Sequence, residues 1–514
     1  MIKERSNSQQ LVINMAASLV TFVVGLGIRF ILTPYIVRVL GAEAYGFIGL
    51  SANILSYTGL VTIALNSMAG RFVTIKYCSG DIENANRYYA SVFYSNIFLA
   101  ILILLFSVGC IIWLEYILVI PSELIFDVKF LFLFLAINNI VGLLFGIWGV
   151  STFIKNRLDL SNIRNIIGNL INAAIIVFLF TLLSPHIWFI GVAGFVMTCY
   201  TTLANRQYAR LLTPELTIKR SYYDWNKVKE LLKSGVWNLT SKLGEILGQG
   251  LDLLIANICI SATAMGYFAL TKNVPFLILS LFQSISGIFS PTLTNMYANG
   301  ETQKIVDELK KSIRILSFFT ALPLCALYIY GDSFYHLWIP SEDASMLQQL
   351  TILGTFALPY TLPLESLWSI FTITNKLKYS SLFMLGNNIV VFLIVMVSMV
   401  VVDSMELRLI ILASTRSICG LVRGFIFLPM YGAHCLGVRK TIFYKPVFKT
   451  LISICICIVL CYMTRTFIQV DSWTMLVIAG ITVSIISSIV NVIIVLSPSD
   501  RKLIKNKLLG NHCL

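Results

Sequence analysis

Apolar runs long enough to cross a bilayer recur from one end of this chain to the other, with no extended polar region between them. Crossing the hydrocarbon core takes about 20 consecutive mostly apolar residues per helix. Lipid offers no partner to backbone N–H and C=O groups, so each run must satisfy its own as helix. Only 12% of the 514 residues are charged, about half the ~25% of a soluble domain, which leaves too little polar surface for a water-soluble globule. The chain is therefore predicted to be an all-α polytopic membrane protein with about 14 transmembrane helices. They fall near 11–37, 44–69, 90–113, 129–151, 165–183, 188–205, 236–260, 265–291, 312–331, 346–373, 380–402, 407–430, 447–464 and 472–496. No cleavable signal peptide is expected, because the first apolar run, from Leu11, is as long as a full span. Most of the eleven cysteines lie inside apolar runs, with neither a disulfide framework nor zinc-ligand spacing. Cys457 and Cys461, one helical turn apart, are predicted to pack.

An even number of spans puts both termini on one side of the membrane, and lysine and arginine choose the side. With the termini in the cytoplasm, about 29 of the 38 basic residues fall in cytoplasmic segments, many of them between 206 and 235. Loops 70–89, 206–235 and 293–311 are then cytoplasmic, and loops 114–128 and 331–345 external. The net charge of +14 is read as this orientation signal plus contact with anionic lipid, and nucleic acid is not expected as a partner.

The sequence also repeats. LGAEAYGFIGLSANI at 40–54 is followed, at an offset of 220 residues, by ISATAMGYFALTKNV at 260–274. Ala42, Ala44, Gly46, Leu50 and Asn53 recur as Ala262, Ala264, Gly266, Leu270 and Asn273; Thr74, Tyr77 and Gly80 recur as Thr294, Tyr297 and Gly300, and Trp148 as Trp368. Six spans separate the copies, so orientation is preserved, and two parallel six-helix repeats about an axis along the membrane normal are predicted. The expected division is a first lobe at 1–205, a basic cytoplasmic linker at 206–235, a second lobe at 236–430, and two further helices with a basic tail at 431–514.

The exit of the first span (Arg29, Thr33, Pro34, Tyr35, Arg38, Leu40, Gly41, then Tyr45 and Gly46) resembles the opening of the polysaccharide transporter family, the Wzx-type O-antigen flippases. Gly235, Asp252, Gly266, Tyr267 and Pro291 are spaced as in the second half of that family. These proteins share a superfamily with multidrug and toxin extruders and lipid II flippases. The resemblance implies two lobes in a V-shaped arrangement working by alternating access in a bacterial inner membrane. It further implies an undecaprenyl-pyrophosphate-linked oligosaccharide as substrate, and a polysaccharide polymerase and chain-length regulator as partners.

A diphosphate and a hydrated glycan can cross hydrocarbon only along a wet, cationic route. Arg29, Lys242, Lys272 and Arg416 are the basic residues well inside predicted spans and are the candidates for one central cavity, although Arg29 and Lys242 are each near enough to a helix end to snorkel. Arg408 and Arg423 are expected at the membrane interface. Asn238, Lys242, Glu245, Gln249 and Asp252 fall at alternating spacings of four and three, which is one helical stripe; Lys242 and Glu245 are also close enough to pair with each other. Asn53, Asn138 and Asn139, with Tyr57, Thr58, Thr62 and Asn66, add hydrogen-bonding surface. Glu245, Asp252 and Glu365 are candidates for coupling to a proton or sodium ion. Around Glu365, Pro359 and Pro363 each remove a backbone donor, so the helix is predicted to break there; the carboxylate then either titrates or caps freed amides.

Enzyme chemistry is not expected: there is no Walker A loop, no Asp-x-Asp pair and no Gly-x-Ser-x-Gly elbow, and the four histidines are scattered. No cofactor and no metal are expected. Two alternatives remain open, a cation-coupled multidrug antiporter and a lipid II flippase. An antiporter for organic cations would favour an acidic cavity, whereas the isolated charges here are mostly basic.

Overall fold

Helices occupy every predicted apolar run, in a computed structural model that describes residues 7–287, 289–374, 376–498 and 501. No strand occurs among the described residues. Eleven of these helices are long and apolar enough to cross a membrane, or twelve if the pair Ala42–Leu60 and Thr62–Cys78, bent by 67°, is one span. Two of the fourteen predicted spans, 236–260 and 346–373, are interrupted helices and are not among these.

The chain forms two compact units, Met1–Gly266 and Tyr267–Leu514. The first contains α1 (Asn7–Leu40), α2 (Ala42–Cys78), α3 (Ile82–Ile112), α4 (Ile125–Phe145), α5 (Leu158–Leu182), α6 (Trp188–Leu212), α7 (Trp225–Glu245) and α8 (Asp252–Cys259). Here α2 packs against α3 and α7, α4 against α3 and α6, and α5 against α1 and α6. Span seven, α7 with α8, thus packs with the helices that precede it, although the repeat assigns it to the second half.

The α2–α7 contact depends on one missing side chain. A Cβ on Gly235 would be driven onto the carbonyl oxygen of Ala64, so only glycine lets the backbones come this close, as small residues do between membrane helices. Around it Leu65, Ala69, Val73, Tyr88, Val228 and Leu231 form a buried cluster. Helix propensity alone predicts that Gly235→Ala stabilises by ~1 kcal/mol. We expect the opposite sign, a loss of about 1–3 kcal/mol from overpacking, seen as a lower thermal midpoint of the purified protein; a raised midpoint would refute the close packing.

One extended network fixes the amino-terminal part of α1 to α5. The Asp159 carboxylate accepts from Gln10 Nε2 at 2.9 Å and from Arg157 through Nε at 2.9 Å and Nη2 at 3.0 Å. At the opposite end of the unit, Asp127 accepts from the Ile187 N–H at 3.0 Å and lies 2.9 Å from His186 Nδ1, closing the α5–α6 loop onto α4.

The second unit contains α9 (Ala262–Thr271, from Tyr267 on), α10 (Asn273–Gly287), α11 (Thr302–Trp338), α12 (Ala344–Thr355), α13 (Trp368–Ile373), α14 (Leu377–Val401), α15 (Met405–Val422), α16 (Leu428–Leu436), α17 (Tyr444–Thr464) and α18 (Trp473–Ile494). α11 is its hub, packed by α12, α17 and α18. Ala321, Cys325, Cys457, Cys461, Ala479 and Val483 fill the seam, so Cys457 and Cys461 are packing residues as expected. Thr450 donates to Ser317 Oγ at 2.6 Å, and Ser453 to Asn491 Oδ1 at 2.6 Å, tying the last two helices to this seam by hydrogen bonds that lipid cannot supply.

The turns at 78–82 and 298–302, 220 residues apart, are built alike. Gly80 and Gly300 adopt φ of 79° and 72°, a region that costs an L side chain energy. Each N–H bonds back to a tyrosine carbonyl, Tyr77 at 3.1 Å and Tyr297 at 3.0 Å, and the next N–H bonds to Lys76 or Met296 at 3.0 Å. Sequence identity at the repeat offset here is matched by local backbone identity.

Candidate functional site

Polar side chains on α2 are spent mostly on neighbouring helices. Span seven leaves regular α-geometry in a π-helical turn, Ile246–Gly250. The Gly250 carbonyl there accepts from Tyr57 Oη at 2.7 Å and from Asn53 Nδ2 at 3.3 Å. Asn53, expected as cavity surface, is therefore partly a tie to this turn. Thr58 Oγ1 accepts from Asn139 Nδ2 at 3.0 Å, joining α2 to α4. Asn66 and Asn96 exchange carboxamide hydrogen bonds of 3.0 Å, joining α2 to α3. Asn238 donates to Ser67 Oγ at 3.1 Å, which turns that end of the α7 stripe toward α2.

The remaining stripe members divide. Lys242 is half-buried, and Asp252, at the start of α8, is buried within electrostatic reach of Tyr57. The side chains of Glu245 and Gln249 lie outside the described residues. Arg29 is exposed on α1.

Asn138 on α4 borders a cavity of about 310 Å³ within this unit, together with Ala52, Leu55, Ser56, Leu135, Asn139, Gly142 and Thr198. Its Oδ1 is buried without a hydrogen-bond partner. Gly194 on α6 faces two carboxamides, and a Cβ there would lie in ordinary contact with them, 3.5 Å from Asn138 Nδ2 and 4.0 Å from Asn172 Nδ2.

A further cation lies outside every sequence-based expectation. Arg164, near the start of α5, donates through Nε to Tyr208 Oη at 3.0 Å and through Nη1 to Tyr200 Oη at 2.9 Å. Both rings also lie under its guanidinium, at 5.6 and 5.9 Å. The three residues share no spacing pattern because they belong to two helices running in opposite directions.

In the second unit the predicted break around Pro359 and Pro363 is present. α12 ends at Thr355, and Leu358–Thr361, a 3₁₀ stretch Leu362–Leu367 and α13 follow. Glu365 sits in the 3₁₀ stretch. Arg423 opens a second irregular segment, the π-helical Arg423–Phe427.

Arg423, expected at the membrane interface, has protein groups around its guanidinium. Its Nε is buried without a hydrogen-bond partner, its Nη1 lies 3.7 Å from Met384 Sδ, and Glu365 and Arg416 are both within electrostatic reach. The backbone can come this close because Gly424 meets the Tyr360 ring, where any Cβ would sit 2.8 Å from Cδ1. Tyr360 stacks on Phe425 with ring centroids 3.7 Å apart, and its hydroxyl is buried without a partner. Arg423 thus lies within electrostatic reach of both Glu365 and Arg416 inside one unit, and Glu365 and Arg423 both sit on backbone irregularities, the usual sign of protein or water rather than lipid around a span. Lys272, on the short link between α9 and α10, is half-buried over the Phe268 ring at 5.1 Å.

No group of three or more potential metal ligands occurs among the described residues.

Comparison with known proteins adds four findings. The family model described as "Polysaccharide biosynthesis protein" matches residues 35–335. The uncharacterized membrane protein EpsK of Bacillus subtilis (strain 168) is 26% identical over 496 residues, covering 96% of this chain and 97% of that protein. Among solved structures, the lipid II flippase MurJ in an inward closed conformation superposes with a TM-score of 0.66 at 15% identity, covering 93% of this chain and 98% of that one. An inward-facing multidrug resistance transporter of the MATE family, in the MOP superfamily, superposes with a TM-score of 0.62 at 13% identity, covering 83% and 98%. At such identities the last two are likenesses of fold.

Proposed function

Because this chain belongs to the polysaccharide biosynthesis protein family, we propose that it is a flippase for an undecaprenyl-pyrophosphate-linked oligosaccharide repeat unit. It moves that unit from the cytoplasmic to the outer leaflet of the bacterial inner (cytoplasmic) membrane by alternating access, for surface polysaccharide synthesis. Both termini face the cytoplasm in this reading. The family match over more than half the chain carries the assignment, and the fold it shares with a lipid II flippase supports a lipid-linked cargo.

The chemistry is transport without covalent change. Arg29, Lys242, Lys272 and Arg416 offer cations to the diphosphate, which can leave water only where charge and hydrogen bonds are returned to it. Asn53, Asn138 and Gln249 are proposed to meet the glycan. Glu245, Asp252 or Glu365 binds the coupling proton or sodium ion. A polymerase and its chain-length regulator would consume the product outside.

Deleting the gene in its own host is expected to abolish the surface polysaccharide and to leave the lipid-linked unit accumulating in the cytoplasmic leaflet. Surface glycan staining and lipid extraction read the two effects, and unchanged surface glycan would defeat the proposal. An antiporter is the second reading, favoured by the likeness to a MATE transporter; it predicts instead a loss of resistance to organic cations in the deletion strain.

A further inference from the structure

The cavity of about 310 Å³ between α2, α4 and α6 has a chemistry unlike the charged groups proposed for the diphosphate. Its eight lining residues are Ala52, Leu55, Ser56, Leu135, Asn138, Asn139, Gly142 and Thr198: four polar, four small or aliphatic, none charged. A diphosphate or an organic cation placed there would lose its hydration with no opposite charge in return. Asn138 Oδ1 is buried there without a hydrogen bond from any protein group, so the lining keeps an acceptor for a donor brought in by a ligand.

The group that suits this lining is a neutral ring carrying several hydroxyls. Each hydroxyl both donates and accepts, so one can donate to Asn138 Oδ1 while others meet Ser56 and Thr198. Leu55 and Leu135 offer apolar surface to the C–H faces of such a ring. The size agrees, since the cavity lies at the small end of the ~300–1,000 Å³ of ordinary ligand pockets, enough for one ring and not for a chain. Ala52, Ser56 and Gly142 are exposed, which leaves the cavity a mouth. A Cβ on Gly142 would meet nothing within 4 Å, so a large side chain can be placed there without a backbone clash.

We infer that this cavity is a subsite for one neutral hexopyranose ring of the lipid-linked glycan. The inference rests on the flippase reading and names part of its specificity: the substrate carries at least one uncharged sugar, read inside the first unit and apart from the cations that meet the diphosphate.

The test uses the full-length protein in lipid nanodiscs, free of sugar-headed detergents, with saturation-transfer difference NMR. The probes are glucose, galactose, mannose, N-acetylglucosamine and N-acetylgalactosamine, with glucuronate and choline as charged comparators. At least one neutral sugar is expected to give a signal that Gly142→Phe removes and Gly142→Ala keeps. Asn138→Leu, close in size but without the acceptor, should weaken that sugar about tenfold, the effect of one buried hydrogen bond. Silence of all five sugars, a signal indifferent to Gly142→Phe, or binding of glucuronate or choline at this position overturns the inference. Silence in a protein whose deletion still removes surface glycan sinks the subsite alone. Sugar binding without any effect of deletion on surface glycan would sink the flippase reading and leave the subsite standing.

Discussion

Alanine at Arg29, Lys242 and Arg416 together is expected to abolish surface glycan in a flippase-null strain while membrane abundance of the protein stays at the wild-type level. The physical reason is the free energy of moving a diphosphate out of water. Each lost cation removes charge-assisted hydrogen bonds worth ~1.5–3 kcal/mol, and three such losses exceed what a transport cycle tolerates, because 1.4 kcal/mol is already tenfold in an equilibrium constant. Arg29 and Arg416 should accept lysine with partial function, since lysine keeps the charge and loses the planar two-pronged donor set. Single neutralisations of Asp252 or Glu365 should act differently. If these carboxylates carry the proposed ion coupling, their loss is expected to change how transport depends on pH or sodium. Full complementation by the triple alanine variant at matched abundance would remove the cationic mechanism and strengthen the antiporter reading.

The spans were legible in the sequence because each is a local property, an apolar run with its own hydrogen bonds. The break at Pro359 and Pro363 was legible for the same reason, since proline cannot donate wherever it sits. The packing role of Cys457 and Cys461 followed from the absence of acidic or histidine neighbours at ligand spacing.

What escaped is relational. Arg423 lies near the end of its predicted span, and only the π-helical turn and the proximity of Glu365 reveal its setting. The Arg164 clamp needs two tyrosines from another helix, and linear spacing carries no trace of such a meeting. The polar residues of α2 were recognised but their use was not. Asn53 and Tyr57 meet a carbonyl at an irregular turn of span seven, and nothing in the sequence marked that turn as π-helical.

The final expectation concerns Glu365 and Arg423. Replacing Arg423 by methionine, which keeps length and apolar volume, is expected to destabilise the protein by ~2 kcal/mol, below the ~3–5 kcal/mol of a broken buried ion pair, because Glu365 and Arg423 are each half-buried and attract one another without a direct hydrogen bond. The cost comes from the partner left behind: Glu365 would sit inside a span with less positive charge to balance it. Glu365→Gln combined with Arg423→Met should therefore recover most of the stability, since two neutral groups leave nothing uncompensated. Thermal midpoints of the wild type, both single variants and the double variant complete the cycle. Additive losses in the double variant would mean that the two groups are independent and that the charged group is not a unit. Recovery of stability without recovery of surface glycan would instead show that the pair is kept for transport, because a neutral replacement that folds equally well would then fail only in the step that needs charge.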